Sequence, residues 1–228
     1  MANLSNVGLI FTGPARVARD VAEHPGWKVP LLVVVLLSLV FTYALQSTPY
    51  QAEYQRELLE KYRRDSGQEI DVDAVTRPSA GRTLMALAGS VVTTVLFTVV
   101  GAAILNGIAM LVGGTAGFVR MFSFFAYAMI IVSAGNLARI PLILAKKSID
   151  VRLSLAAFAP NIRLESPAGL VLGSTDIFSL WCLVATAIGF SALTGLGTKK
   201  SAAIVVALYV ILVLLQVGTS VLTTRAIS

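Results

Sequence analysis

Long unbroken apolar runs organise this chain, with polar stretches of very unequal length between them. A bilayer core of about 30 Å needs roughly 20 apolar residues per helix. Five runs meet that length, at about 29–45, 84–112, 118–144, 178–196 and 202–223. Backbone groups in lipid must be satisfied within their own segment, so the runs are expected to be helices. A barrel would need segments of about ten residues with alternating polarity, and these runs do not alternate. The pattern predicts an all-α, polytopic transmembrane bundle of five helices, forming a single membrane domain over residues 1–228.

Two polar stretches carry patterns of their own. Within residues 46–83, Tyr50, Tyr54, Leu58 and Tyr62 recur every four positions, and Glu57/Lys61 and Glu60/Arg64 are spaced as ion pairs one helical turn apart. That predicts an amphipathic helix, which either covers the mouth of the bundle or offers a surface to a partner. From Pro14 to Glu23, Val17 and Val21 share one face, while Arg16, Arg19, Asp20 and Glu23 occupy the rest. Proline is well tolerated in a first helical turn, so a short in-plane helix is expected before the first span. Between the third and fourth spans, Pro167 to Leu172 is apolar but too short to cross, and reads as an interfacial, re-entrant or bundle-resting piece.

Composition agrees with a membrane chain. Of 228 residues, 56% are hydrophobic and 13% charged, against about 25% charged in soluble domains. The basic excess of +6 suits interfacial lysines and arginines beside anionic lipid. These residues are scattered rather than clustered, which argues against nucleic acid as a partner. The N-terminal apolar run precedes its arginines, the reverse of a secretory leader, and the first span is expected to be uncleaved. Five crossings place six basic residues on one side and twelve on the other. The positive-inside rule then sets the first and third loops in the cytoplasm and the N-terminus outside.

Catalytic signatures are sparse. The single cysteine, Cys182, excludes an internal disulfide, and the single histidine, His24, excludes a paired-histidine zinc motif. Neither a GxSxG elbow nor a phosphate loop is present, and nothing implies a cofactor. Glu69, Asp71 and Asp73 form an acidic group that lacks the glycine and terminal glutamate of a calcium loop. Polar residues at membrane depth are costly and therefore candidates for function: Asn106 in the second span, Asn136 and Arg139 in the third, and Gln216 in the fifth. Asn106, Asn136 and Arg139 could line a polar pathway, with Pro141 freeing a carbonyl. Alternatively the amides bond between helices, and Arg139 snorkels toward Lys146 and Lys147. Gly101, Gly107, Ser191 and Gly195 are small residues at which helix backbones could approach, within the bundle or in a homo-oligomer.

Three blocks, in order, resemble the Yip-one (Ypt-interacting protein) domain family in its short bacterial form. GLIFTGPARVARDVAEHPGWKVPLL is similar to the family's opening, with Pro-x-Trp-x-x-Pro leading into the first span. GGTAGFVRMFSFFAYAMI is similar to its entry into the third. STDIFSLWCLVATAIGFSALTGLGTKKSA is similar to its most recognisable block, carried here by Asp176, Phe178, Trp181 and Gly189. The resemblance implies a five-span membrane protein without catalysis, acting in membrane organisation or protein interaction, and places it in the bacterial inner membrane. Eukaryotic relatives bind Rab-type GTPases through a longer N-terminal segment. The first span here is expected to open near Val29, and that partner is not carried over. The family topology puts the N-terminus in the cytoplasm, opposite to the charge count. The partners expected are therefore the lipid bilayer, a second copy and another membrane protein. The competing expectation is a small-solute or ion transporter using the polar pathway.

Overall fold

The computed structural model describes residues 2–149 apart from Ile70, Pro78 and Thr115, then Gly169, Leu172, Gly173 and residues 175–227. Side chains of the last helix are described as far as Leu215. The chain forms α1 (Ala2–Leu9), α2 (Pro14–Glu23), α3 (Lys28–Gln46), α4 (Pro49–Ser66), α5 (Val72–Thr76), α6 (Ala80–Leu111), α7 (Phe118–Lys146), α8 (Ile177–Thr194) and α9 (Thr198–Ile227). Among the described residues there is no strand. Five helices are long and apolar enough to cross a membrane: α3, α6, α7, α8 and α9 over Thr198–Leu215. The 32 residues of α6 well exceed the roughly 20 that a bilayer core needs, so this helix must tilt or project beyond the core.

Local chemistry sets the ends of these helices. Pro14 and Pro49 open α2 and α4, where a missing N–H costs nothing. Ser79 and Asp176 cap α6 and α8, their side chains accepting the backbone N–H groups of Arg82 and Ser179. Gly67 and Gly195 close α4 and α8 in the left-handed conformation, which only glycine adopts without strain. α7 runs unbroken through Pro141, leaving the carbonyl four residues earlier without its usual helical donor.

Successive spans alternate in direction. At one end of the bundle Trp27 meets Phe122 with ring centroids 5.8 Å apart. Midway, Thr94 on α6 bonds Ser38 on α3 at 3.0 Å. At the other end, Thr175 bonds Tyr209 of α9 at 3.0 Å. The central helix is α7, which packs against α3, α6 and α8. It buries Met121, Phe124, Tyr127, Ala128 and Ile131. The outer helices expose leucines and valines, as lipid-facing surfaces do: Leu32, Leu36, Leu96 and Leu214 are all uncovered.

The N-terminal helices differ from the in-plane arrangement that the sequence suggests. α2 docks on α8 and α7 and completely buries Val17, Ala18 and Val21. Asn6 of α1 donates to the Asp20 carboxylate at 2.6 Å and shares a hydrogen bond with the buried Tyr127. The Trp181 indole N–H donates to the carbonyl of Phe11 at 3.1 Å. Trp181 lies near the start of α8, at the end of the bundle away from Trp27 and Phe122. The tip of the α1–α2 hairpin therefore reaches deep beside α8. The apolar piece at Pro167 to Leu172, but for Gly169 and Leu172, lies outside the described residues.

Candidate functional site

Polar side chains at membrane depth collect in one cleft between α3, α6 and α7. Its walls carry Ser38, Thr42, Thr93, Thr94, Thr98, Ser133 and Asn136, and its volume is about 220 Å³. Threonine and serine are at ease in membrane helices because the hydroxyl can donate to a carbonyl one turn back. Thr98 donates in this way to Thr94 O at 2.7 Å, and Ser133 to Met129 O at 3.0 Å. Each of these hydroxyl oxygens keeps lone pairs able to accept. Among the described residues, Asn136 has no hydrogen-bond partner, so its amide and carbonyl are both available. The described residues lining the cleft include no ionisable side chain.

A second cavity lies on the other side of the α6–α7 contact. It is apolar, about 280 Å³, and opens between α6 and α9 over a floor that includes Phe125 and Cys182. Phe97, Met129 and Val132 line both spaces and form the partition between them. Cys182 is buried there, and its thiol contacts the carbonyl of Ala128 at 3.4 Å.

The polar pathway drawn from the sequence does not assemble. Asn106 lies more than two helical turns beyond Thr98 on α6 and is not among the residues lining the cleft. Its Nδ2 reaches the Met110 sulfur at 3.7 Å, and its buried carbonyl oxygen has no partner among the described residues. Arg139 lies one turn past Asn136 but is drawn to α8, where its guanidinium pairs with Asp176. Snorkelling toward Lys146 and Lys147 is thereby replaced by an internal ion pair. The Asp176 carboxylate serves both Arg139 and the Ser179 N–H, and its side chain is only 7% exposed. The side chain of Gln216 lies outside the described residues.

Close packing is carried by a partly different set of glycines from those read off the spacing. A methyl at Gly189 would sit 1.9 Å from the Phe124 ring, one at Gly135 2.6 Å from Phe178, and one at Gly101 2.5 Å from Phe125. Gly107 faces open space, so no neighbouring helix requires a glycine there. Gly195 terminates α8, and the Ser191 hydroxyl donates to Leu196 O at 2.7 Å, so both belong to the turn rather than to a helix–helix seam. Spacing alone could not separate these roles. Gly135 and Phe178 pair across two helices, a relation no local pattern announces.

On the polar end, two of the three acidic residues grouped in the first loop are engaged within the protein. Asp71 caps α5 by accepting from Ala74 N–H at 2.9 Å, and Asp73 pairs with Arg56. Among the described residues, no group of three or more His, Cys, Asp or Glu side chains is placed to hold a metal ion. α4 packs on α5 and the end of α3, leaving Tyr54, Leu58 and Tyr62 exposed in one stripe.

The comparisons agree with this architecture. No curated protein and no solved structure matches the chain. The model of the Yip1 domain matches residues 8–220, from the last residues of α1 through α2, all five membrane-length helices and the Asp176 junction, and the chain therefore belongs to the Yip1 domain family.

Proposed function

We propose that this integral membrane protein acts without catalysis, as an interaction and membrane-organising factor in a bacterial inner membrane. The observation that carries the reading is the uncovered stripe of α4. Tyr54, Leu58 and Tyr62 stand outside the bundle, while the interior aromatics are taken up in packing. Aromatic side chains offer large contact area at low conformational cost, as protein interfaces use them. Arg139 and Asp176, the charged pair at the end of the bundle, neutralise each other and fasten α7 to α8. That is a structural use rather than a catalytic one. The transport reading draws on Asn136 alone of its three residues, because Asn106 and Arg139 turn elsewhere.

The test is photocrosslinking from a benzophenone amino acid placed at Leu58, followed by capture from native nanodiscs and mass spectrometry. A crosslinked membrane protein or second copy is expected, and the crosslink should fade in a Tyr54→Asp/Leu58→Asp variant read from a probe at Tyr62. Recovery of lipid adducts alone would remove the support for an interaction role.

A further inference from the structure

We propose that the α3/α6/α7 cleft and the α6/α9 groove are two lobes of one binding site for an uncharged lipid bearing a free hydroxyl, of the diacylglycerol class. The two spaces share a wall. Phe97, Met129 and Val132 face both, so a ligand lying across them passes between α6 and α7 at that level. Phe97 is more than half exposed and can swing aside without disturbing the core, whereas Met129 belongs to the core and yields by repacking there, as an unbranched, adaptable side chain can.

The chemistry of each lobe selects the ligand. The cleft presents hydroxyl oxygens as acceptors and the Asn136 carboxamide as both donor and acceptor. A ligand hydroxyl, which gives one hydrogen bond and accepts others, fits that set. With no ionisable side chain among its described lining residues, the cleft offers no countercharge to a phosphate. Burying an uncompensated charge at that depth is strongly unfavourable. Arg139, one turn from Asn136, is already paired with Asp176. The second lobe presents a mainly apolar surface, with Val100, Leu105 and Val205 among its walls and the hydroxyls of Ser179, Thr186 and Tyr209 its polar exceptions, and lies between two membrane-length helices. Its occupant therefore enters from the bilayer, and an alkyl chain suits it. Neither lobe alone identifies a ligand; the polar lobe joined to the apolar one describes an amphiphile with a neutral head. This site is separate from the α4 stripe, and the proposal stands or falls independently of the interaction role.

The full chain in phosphatidylcholine nanodiscs, carrying either a diazirine-tagged diacylglycerol or a phosphatidylcholine tagged on the same acyl chain, provides the test. The diacylglycerol probe is expected to label the walls at Phe97–Gly101 and Met129–Asn136 in excess of the phosphatidylcholine probe. Asn136→Leu should reduce that labelling about fivefold, the worth of roughly one neutral hydrogen bond. Val132→Phe, which fills the junction from the wall common to both lobes, should reduce it while leaving the Asn136 carboxamide in place. Equal labelling by the two probes would overturn the proposal, as would unchanged labelling in a Val132→Phe protein that elutes as wild type.

Discussion

Arg139 on α7 and Asp176 at the start of α8 are joined in an ion pair, and the same carboxylate caps α8 through Ser179 N–H at 2.7 Å. One acid thus ends a loop, starts a membrane helix and fixes that helix to the central one. The backbone dipole at a helix N-terminus favours an acidic residue at this position.

The two functions of Asp176 separate under substitution. Asp176→Asn keeps a good capping acceptor and loses the ion pair, whereas Asp176→Ala loses both, so alanine should be worse by about 1 kcal/mol. Arg139→Met should cost about 2 kcal/mol, less than the loss of a partner from a fully buried pair, because Arg139 is partly exposed. The Arg139→Met/Asp176→Asn double variant should be less destabilised than the sum of the singles. Unfolding in mixed detergent micelles measures all four.

Gly189 and Gly107 should respond oppositely to alanine. Gly189→Ala drives a methyl into the Phe124 ring and should destabilise by about 1–3 kcal/mol, as overpacking does. Phe124→Leu in the same chain should restore part of the loss. Gly107→Ala meets no neighbour and should be neutral or stabilising by up to about 1 kcal/mol, through helix propensity. Thermal denaturation of the three variants distinguishes these outcomes.

Trp181→Phe removes the indole N–H that holds Phe11 while leaving an aromatic ring in place. The lost hydrogen bond is worth about 1 kcal/mol, enough to increase opening of the α1–α2 hairpin severalfold. Hydrogen exchange in nanodiscs should show faster exchange of the α2 amides, and limited proteolysis faster cleavage near His24, where the hairpin joins the first span. Unaltered exchange and cleavage would mean that the burial of Val17 and Val21 alone holds the hairpin.

Because α6 joins α5 to the turn before α7, the two ends of this helix should label from opposite sides of the bilayer. A Cys182→Ala background with single cysteines at Gln68 or Leu111, both exposed, tests this with an impermeant maleimide. Labelling of both from one side would show that α6 does not cross.

The family resemblance was legible in the sequence because it sits in residues with local duties. Asp176 caps a helix and Trp181 lies one turn in, whereas the duty of Gly189 is a close approach between two helices. Of the residues read as functional, Asn136 reached the cleft, but its companions there are threonines and serines that no motif marked. Hydroxyls are common in membrane helices and become a site only when three helices turn them toward one space.

Continuous apolar length, charge and helix-ending residues determined the five membrane helices, since a helix in lipid must satisfy its backbone locally, whatever its neighbours. Which face of each helix is covered was decided by the tertiary structure. Lipid tails are as apolar as a protein core, so lipid-facing and buried positions carry the same residues and leave no periodic trace. Hence the pairing of Arg139 with an acid far along the chain, the docking of α2 on α8, and the difference between Gly189 and Gly107 appear only when the helices are packed together.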